Sequence, residues 1–262
     1  FKAHADRIQK QWRENYVNAL VAAGHPRRAL PLIKILAKQS NGDKKTRWQE
    51  TLLHLYLQLD MHTQALSYAR NLTRENCTMA KWWRVLAHVN LSLGNYKEAL
   101  ADLTIYGYLT PLSDEEQRLW ADLNLQLDIP VRAVSVYEAM IKEKPDKRLL
   151  QKLVTAYQKL DRSEKALEQL NYFGLATNDP ELLMIKGDLL YALKRFNDAN
   201  NAYRRAAQAD FRQAGRAWLL AGYAAWQTND LSSSRQAFER AAKYSGQRKA
   251  ARLAMAQLRE TE

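Results

Sequence analysis

The apolar positions of this chain follow helical spacing inside a longer rhythm. A small residue with helical periodicity around it returns at Ala29, Ala65, Ala99, Ala133, Ala166, Ala199 and Ser234, at intervals of 36, 34, 34, 33, 33 and 35 residues. Four residues beyond several of these sites stands a large apolar side chain: Ile33, Leu103, Leu170, Tyr203 and Phe238. Residues four apart share a helix face. The small residue therefore lets its helix approach a neighbour closely, and the large one fills the gap to the next pair of helices. Just before each small residue the pattern breaks, at Gly24-His25-Pro26, Asp60-Met61-His62, Gly94-Asn95-Tyr96, Asp128-Ile129-Pro130, Asp161-Arg162-Ser163, Lys194-Arg195-Phe196 and Asn229-Asp230-Leu231. Gly, Asn and Asp tolerate left-handed backbone angles, so these breaks predict tight turns between two helices.

The spacing predicts seven helical hairpins starting near residues 10, 46, 80, 114, 147, 180 and 215, in one domain over 1–262. One hairpin cannot bury its apolar face alone, so consecutive hairpins must stack. Pro111 and Pro145 stop their repeats by blocking continuation of the helix. A last helix near 246–260, with Ala250, Leu253, Met255 and Leu258 on one side, reads as the cap over the final apolar face. The longest irregular linkers are expected around 40–43 and 176–180. Repeats one and two carry Val17 and Leu53 where the first helix of such a hairpin takes glycine.

One stretch carries the pattern most fully. Trp82-Trp83, Leu86-Ala87, the run Gly94 to Leu100, Leu103 and Pro111 follow the W-x₂-L-G-x₂-Y, A-x₃-F, P order of the tetratricopeptide repeat, with Asn90 in place of the tyrosine. The chain resembles that family. The resemblance implies an all-α, right-handed α-solenoid of about fifteen helices with essentially no strand.

Composition agrees with helix. Glycines number 9 and prolines 6, too few for a turn-rich β protein, while 47% of residues are hydrophobic, enough for a continuous core. The formal charge is +12 and the pI near 9.7. Such a balance can attract nucleic acid, an acidic membrane surface or an acidic partner. Its charges are dispersed, however, in groups such as Arg27-Arg28, Lys44-Lys45 and Arg204-Arg205, as on a solvated helical surface. A helical repeat that reads RNA needs a regular code of side chains, and none recurs here, so no nucleic-acid partner is expected. No apolar run reaches the length of a membrane span, so no membrane insertion is expected.

Catalytic chemistry finds little purchase. Cys77, the one cysteine, allows no intramolecular disulfide and no Cys-pair zinc site; it reads as a buried or half-buried small apolar residue. The five histidines show no metal-ligand spacing, although His54 and His88 lie 34 apart at one place in consecutive repeats. No phosphate-binding loop or nucleophile elbow occurs. The chain is expected to be non-catalytic, with no cofactor and no metal. Trp83 and Trp218 stand at the packing position of the motif and read as core.

The resemblance also implies a concave groove lined by the second, fifth, ninth and twelfth residues of each first helix. The candidate site residues on it are Lys81, Arg84, His88, Arg118 and Asp122, then Met184, Tyr191, Leu219, Tyr223 and Trp226. A cationic middle would hold an acidic group, and an aromatic end would bury apolar side chains. Packing against the next hairpin is the competing use of the twelfth positions. The carboxylate clamp of some family members is missing, since Glu14, Asn18, Glu50 and His54 occupy its places.

A narrower resemblance lies between Trp82 and Leu170. With Leu-Thr-Pro-Leu-Ser at 109–113 and Leu-Asp-Ile-Pro-Val at 127–131, the segment is similar to bacterial exported tetratricopeptide proteins encoded beside TonB, ExbB and ExbD. That similarity implies a periplasmic adaptor in a TonB-type transport system, for example for iron uptake. A cytoplasmic assembly or regulatory adaptor is the alternative, and an RNA-binding repeat the more distant one. The first residue is Phe1, and Ala3-His4-Ala5 has the A-x-A form of a signal-peptidase site, readable as a processing scar or an expression-tag remnant.

Overall fold

The computed structural model describes the backbone of residues 2–173, 179–209 and 212–260, and the side chains of Gln9 and from Gln11 onward within them. The described residues form fifteen α-helices and no strand. They are α1 (Lys2–Ala22), α2 (Pro26–Gln39), α3 (Gly42–Gln58), α4 (His62–Glu75), α5 (Ala80–Ser92), α6 (Tyr96–Leu109), α7 (Asp114–Gln126) and α8 (Pro130–Glu143), followed by α9 (Lys147–Lys159), α10 (Ser163–Tyr172), α11 (Pro180–Ala192), α12 (Phe196–Gln208), α13 (Ala214–Gln227), α14 (Leu231–Ala241) and α15 (Arg248–Glu260). The first helices of the third to seventh hairpins begin at Ala80, Asp114, Lys147, Pro180 and Ala214; those of the first two, α1 and α3, begin at Lys2 and Gly42, which leaves Ser40 and Asn41 as the linker between α2 and α3. Most of the second linker lies outside the described residues. The chain packs as two compact units, residues 1–116 and 117–262.

All seven turns close in the same way. Gly24, Asp60, Gly94, Asp128, Asp161, Lys194 and Asn229 take positive φ, between 55° and 74°. The next N–H then reaches back five residues: His25 to the Leu20 carbonyl, Met61 to Tyr56, Asn95 to Asn90, Ile129 to Asn124, Arg162 to Tyr157, Arg195 to Leu190 and Asp230 to Ala225, at 2.8–3.1 Å. This closure satisfies carbonyls that a helix end would otherwise leave orphaned.

The seven small residues are all fully buried, and Ile33, Leu103, Leu170, Tyr203 and Phe238 are no more than 2% exposed. Why the small positions matter is clearest in α11 and α13. A Cβ on Gly187 would lie 2.4 Å from the Tyr203 ring, and one on Gly222 would lie 2.4 Å from the Phe238 ring. In repeat two the sizes are exchanged: Leu53 stands at the glycine position and Ala69 at the ring position, both buried in one apolar cluster of the N-terminal unit.

Three sequence expectations need correction. Cys77 is exposed, because it lies in the four-residue stretch between α4 and α5 rather than under a helix. Trp82, only 2% exposed, takes the deep place in α5, while Trp83 is half-buried and its Nε1 donates to the Cys77 carbonyl at 2.8 Å. In α15 the buried face is Ala251, Ala254 and Leu258, and Leu253 is 63% exposed. The i, i+3, i+7 spacing of that buried set is the helical stripe, and Leu253 stands off it.

Candidate protein-binding groove

The expected groove residues sit on the first helices of the hairpins, and each unit places them differently. In the N-terminal unit the charges are tied to one another across consecutive first helices. Glu14 on α1 takes Lys44 at 3.2 Å, Glu50 on α3 takes Lys81 at 2.7 Å, and Arg84 Nε on α5 meets Glu116 Oε1 at 2.7 Å. Glu116 also accepts from the backbone N–H and the hydroxyl of Ser113, at 3.0 and 2.9 Å, the Ser-x-x-Glu device that starts α7. Those hydrogen bonds and the Arg84 guanidinium hold its carboxyl below the usual range even though burial opposes them. The cationic patch read from the sequence is therefore largely compensated: Lys81 and Arg84 each face an acid. His88 is exposed at the same face, and its pKa is lowered first by desolvation and then by Arg84, which favours the neutral imidazole.

In the C-terminal unit Asp122 on α7 accepts from the Tyr137 phenol at 2.7 Å and pairs with Lys152 on α9. Asp188 on α11 accepts from Tyr203 at 2.7 Å in the same way. A ninth-position aspartate thus fixes the ring that the second helix sends beneath it, and burial together with that acid raises both phenol pKa values. Arg118 is half-buried and electrostatically close to Tyr137. Lys147 joins Asp179 at 2.6 Å and Glu181 at 2.7 Å, while Asp179 caps α11 through the N–H groups of Glu181 and Leu182.

The aromatic end is partly consumed by packing. Met184 is only 6% exposed and belongs to the core. Tyr191 stands edge-on to Phe196 with ring centroids 5.0 Å apart, and Tyr223 and Trp226 stand edge-on to Phe238 at 5.1 and 6.3 Å. Leu219, like these three rings, is half-buried against the same core. The hairpins thus use these side chains in packing, the competing use named for the twelfth positions, Tyr191 and Trp226 among them. What remains open nearby is a cleft of about 230 Å³, lined by Gln151, Glu181, Met184, Ile185, Asp188, Gln213 and Arg216. Gln151 and Met184 are fifth positions, Glu181 and Arg216 second positions and Asp188 a ninth position, drawn from three successive repeats.

Two features escaped the sequence reading. The ion-pair partners of the groove charges, Glu116 for Arg84 and Lys152 for Asp122, were signalled by opposite charges 32 and 30 residues apart. The other is a buried polar pair: Asn90, at the tyrosine place of repeat three, donates to Asp102 at 2.7 Å, and burial raises Asp102 to about 6. Among the described residues no three His, Cys, Asp or Glu side chains gather as metal ligands, and no helix is long and apolar enough to cross a membrane.

Comparison with known proteins places this geometry. Residues 184–251, from within α11 to within α15, match the family model of the tetratricopeptide repeat. No curated protein matches the sequence. Among solved structures, the complex of Naa15/Naa10 bound to HypK-THB contains a chain similar over 95% of this one, with TM-score 0.70 and 15% identity; this chain spans only 39% of that one. A tetratricopeptide repeat protein from Parabacteroides merdae is similar over 95% of this chain and 98% of its own, with TM-score 0.50 and 13% identity. YrrB, a TPR protein with an unusual peptide-binding site, is similar over 71% of this chain and 96% of its own, with TM-score 0.53 and 18% identity. The fold is the all-α repeat fold of tetratricopeptide proteins.

Proposed function

We propose that this chain is a non-catalytic scaffold that holds a segment of a partner protein against the first helices of its C-terminal unit. The observation that carries this reading is the open cleft on α9, α11 and α13, where second, fifth and ninth positions of three repeats converge. Its lining mixes an exposed arginine, two acids, two amides and an apolar floor, a combination suited to an extended polypeptide whose side chains alternate in character. The fold it shares with YrrB, described as having a peptide-binding site, supports the same use. We further propose a periplasmic setting in which the partner is a component of a TonB-type system, on the strength of the 82–170 resemblance.

The test is binding of the intact chain to the periplasmic domains of TonB and ExbD, with Arg216→Glu and Gln151→Ala as groove variants. Arg216 is exposed and Gln151 is only half-buried, so the variants should keep wild-type helicity. Loss of one charged contact should weaken binding about tenfold. If wild type binds neither domain at micromolar concentration, the envelope setting is wrong. If it binds and both variants bind equally well, the groove is not the surface used.

A further inference from the structure

We propose that the N-terminal unit has a second binding site, away from the groove positions: a cleft between α2, α3 and α4 that takes a carboxylate carried on an apolar body. The cleft has a volume of about 300 Å³, the lower end of what small ligands occupy. Its origin is local. The fourth residue of a repeat is large and apolar in four other hairpins, as Trp83, Leu150, Leu183 and Trp218. In repeat two it is Gln49, a slim amide, and the space that an indole would fill stays open between α2 and α4. No lining residue stands at a second, fifth, ninth or twelfth position of its repeat.

The chemistry of the walls is directional. The floor is apolar, from Leu52 and Leu72, with the Tyr56 and Tyr68 rings set edge-to-face at 6.1 Å. At the bottom Gln49, 7% exposed, hydrogen-bonds to Tyr68. Burial pushes the Tyr68 phenol up to about 12, so it stays a neutral donor. The rim carries Lys34, Lys38 and Lys45 against one acid, Glu75. None of these three lysines has an ion-pair partner among the described residues, and Lys34 lies over the Tyr56 ring at 5.5 Å. The contrast with Lys44 and Lys81 is informative. Those two lysines, in the same unit, are each committed to a glutamate. A rim with surplus positive charge over an aromatic floor fits an anion whose other end is aromatic or aliphatic.

Two sources offer that chemistry, the C-terminal residue of a polypeptide and a free aryl or alkyl carboxylate. An NMR titration following the Tyr56 and Tyr68 rings separates them. N-acetylphenylalanine should shift both rings saturably. N-acetylphenylalaninamide, which lacks the charge, should bind about tenfold more weakly or worse, and acetate, which lacks the body, should not shift them. Tighter binding of acetyl-Gly-Gly-Phe than of N-acetylphenylalanine assigns the site to chain termini; equal or weaker binding assigns it to the free carboxylate. Lys34→Gln/Lys38→Gln/Lys45→Gln, at exposed or rim positions, should lose binding with helicity unchanged. Gln49→Trp should lose it by filling the cleft. Neither variant should alter any partner bound on α9, α11 and α13. Equal binding of acid and amide, full binding by the lysine variant, or no saturable shift with either acid at millimolar concentration overturns the proposal.

Discussion

The two ends of this molecule stack their hairpins by different means. In the N-terminal unit an ion pair ties each first helix to the next: Glu14 to Lys44, Glu50 to Lys81 and Arg84 to Glu116. Between α11 and α13 no ion pair occurs among the described residues, and fit takes its place. There Asn200 on α12 donates to the Ala221 carbonyl of α13 at 2.7 Å, and inside the two hairpins Tyr203 lies against Gly187 and Phe238 against Gly222. Dense packing of rings on glycines is specific to residue size, whereas exposed ion pairs are tolerant and weak. The stretch matching the repeat family lies in these C-terminal hairpins.

The largest test of this contrast is Gly187→Leu. Leucine has the better helix propensity, by roughly 1 kcal/mol, but its Cβ alone would meet the Tyr203 ring at 2.4 Å. Overpacking of that kind costs about 3 kcal/mol or more, so the clash decides the sign. Urea denaturation should show a clear loss of stability. Adding Tyr203→Ala recreates the Leu53 and Ala69 combination of repeat two and should recover part of it. Equal stability of wild type and Gly187→Leu would mean that ring-on-glycine fit does not hold the C-terminal repeats together.

Next in size is Asp102, in the N-terminal unit. Its folded pKa is raised to about 6 from an ordinary 3.8, chiefly by burial. The protonated form is thus favoured in the folded state. The stability it contributes is fully present below pH 4 and is lost as pH rises through 6. Asp102→Asn keeps an acceptor for Asn90 without the charge, and should stabilise the protein at pH 8 by about 1–3 kcal/mol. At pH 4 the gain should vanish. A melting-temperature difference that is the same at both pH values would remove Asp102 as a buried titrating group.

The architecture was legible because its signals are redundant. Each small residue is preceded by a turn residue in the left-handed region, and each repeat supplies both marks, so the register survives the loss of any one. Lys194 shows this: it has none of the usual turn character, yet it takes φ of 59° between two correctly placed helices. The groove was less legible. Its candidate residues fall on first helices of the hairpins, but their availability depends on partners in other helices. Arg84 was read as a groove cation and meets Glu116, and Trp226, open to either groove or packing use, stands edge-on to Phe238. Spacing along one helix fixes direction; it carries no record of what the next hairpin brings. The cleft at Gln49 was overlooked for a related reason, since a cavity is set by what a residue fails to fill.

Lys194 yields a smaller prediction. Holding an L-residue in the left-handed region costs roughly 1–2 kcal/mol, a cost glycine does not carry. Lys194→Gly should therefore stabilise the C-terminal unit by about 1 kcal/mol, after subtracting the extra entropy of an unfolded glycine. Gly94→Lys, the reverse change in the N-terminal unit, should cost a similar amount, because Gly94 has φ of 74° and nothing within 4 Å to obstruct a side chain. Thermal denaturation of the two variants measures the backbone term alone.

The smallest effect lies in the ion pairs themselves. Lys81 and Glu50 meet at 2.7 Å, but their side chains are 39% and 48% exposed. Water and salt screen such a pair, and ordering two long side chains offsets part of its attraction. A double-mutant cycle of Lys81→Ala and Glu50→Ala should give a coupling near 0.5 kcal/mol at low ionic strength. At 1 M salt, where the screening length falls to about 3 Å, little should remain. Lys81→Ala alone would change stability by more than the coupling if Lys81 also acts through its contact over the Trp82 ring, at 5.1 Å. A coupling of about 2 kcal/mol that survives high salt would show the opposite of the contrast drawn between the two ends, with ion pairs fixing the N-terminal hairpins as firmly as the rings fix the C-terminal ones.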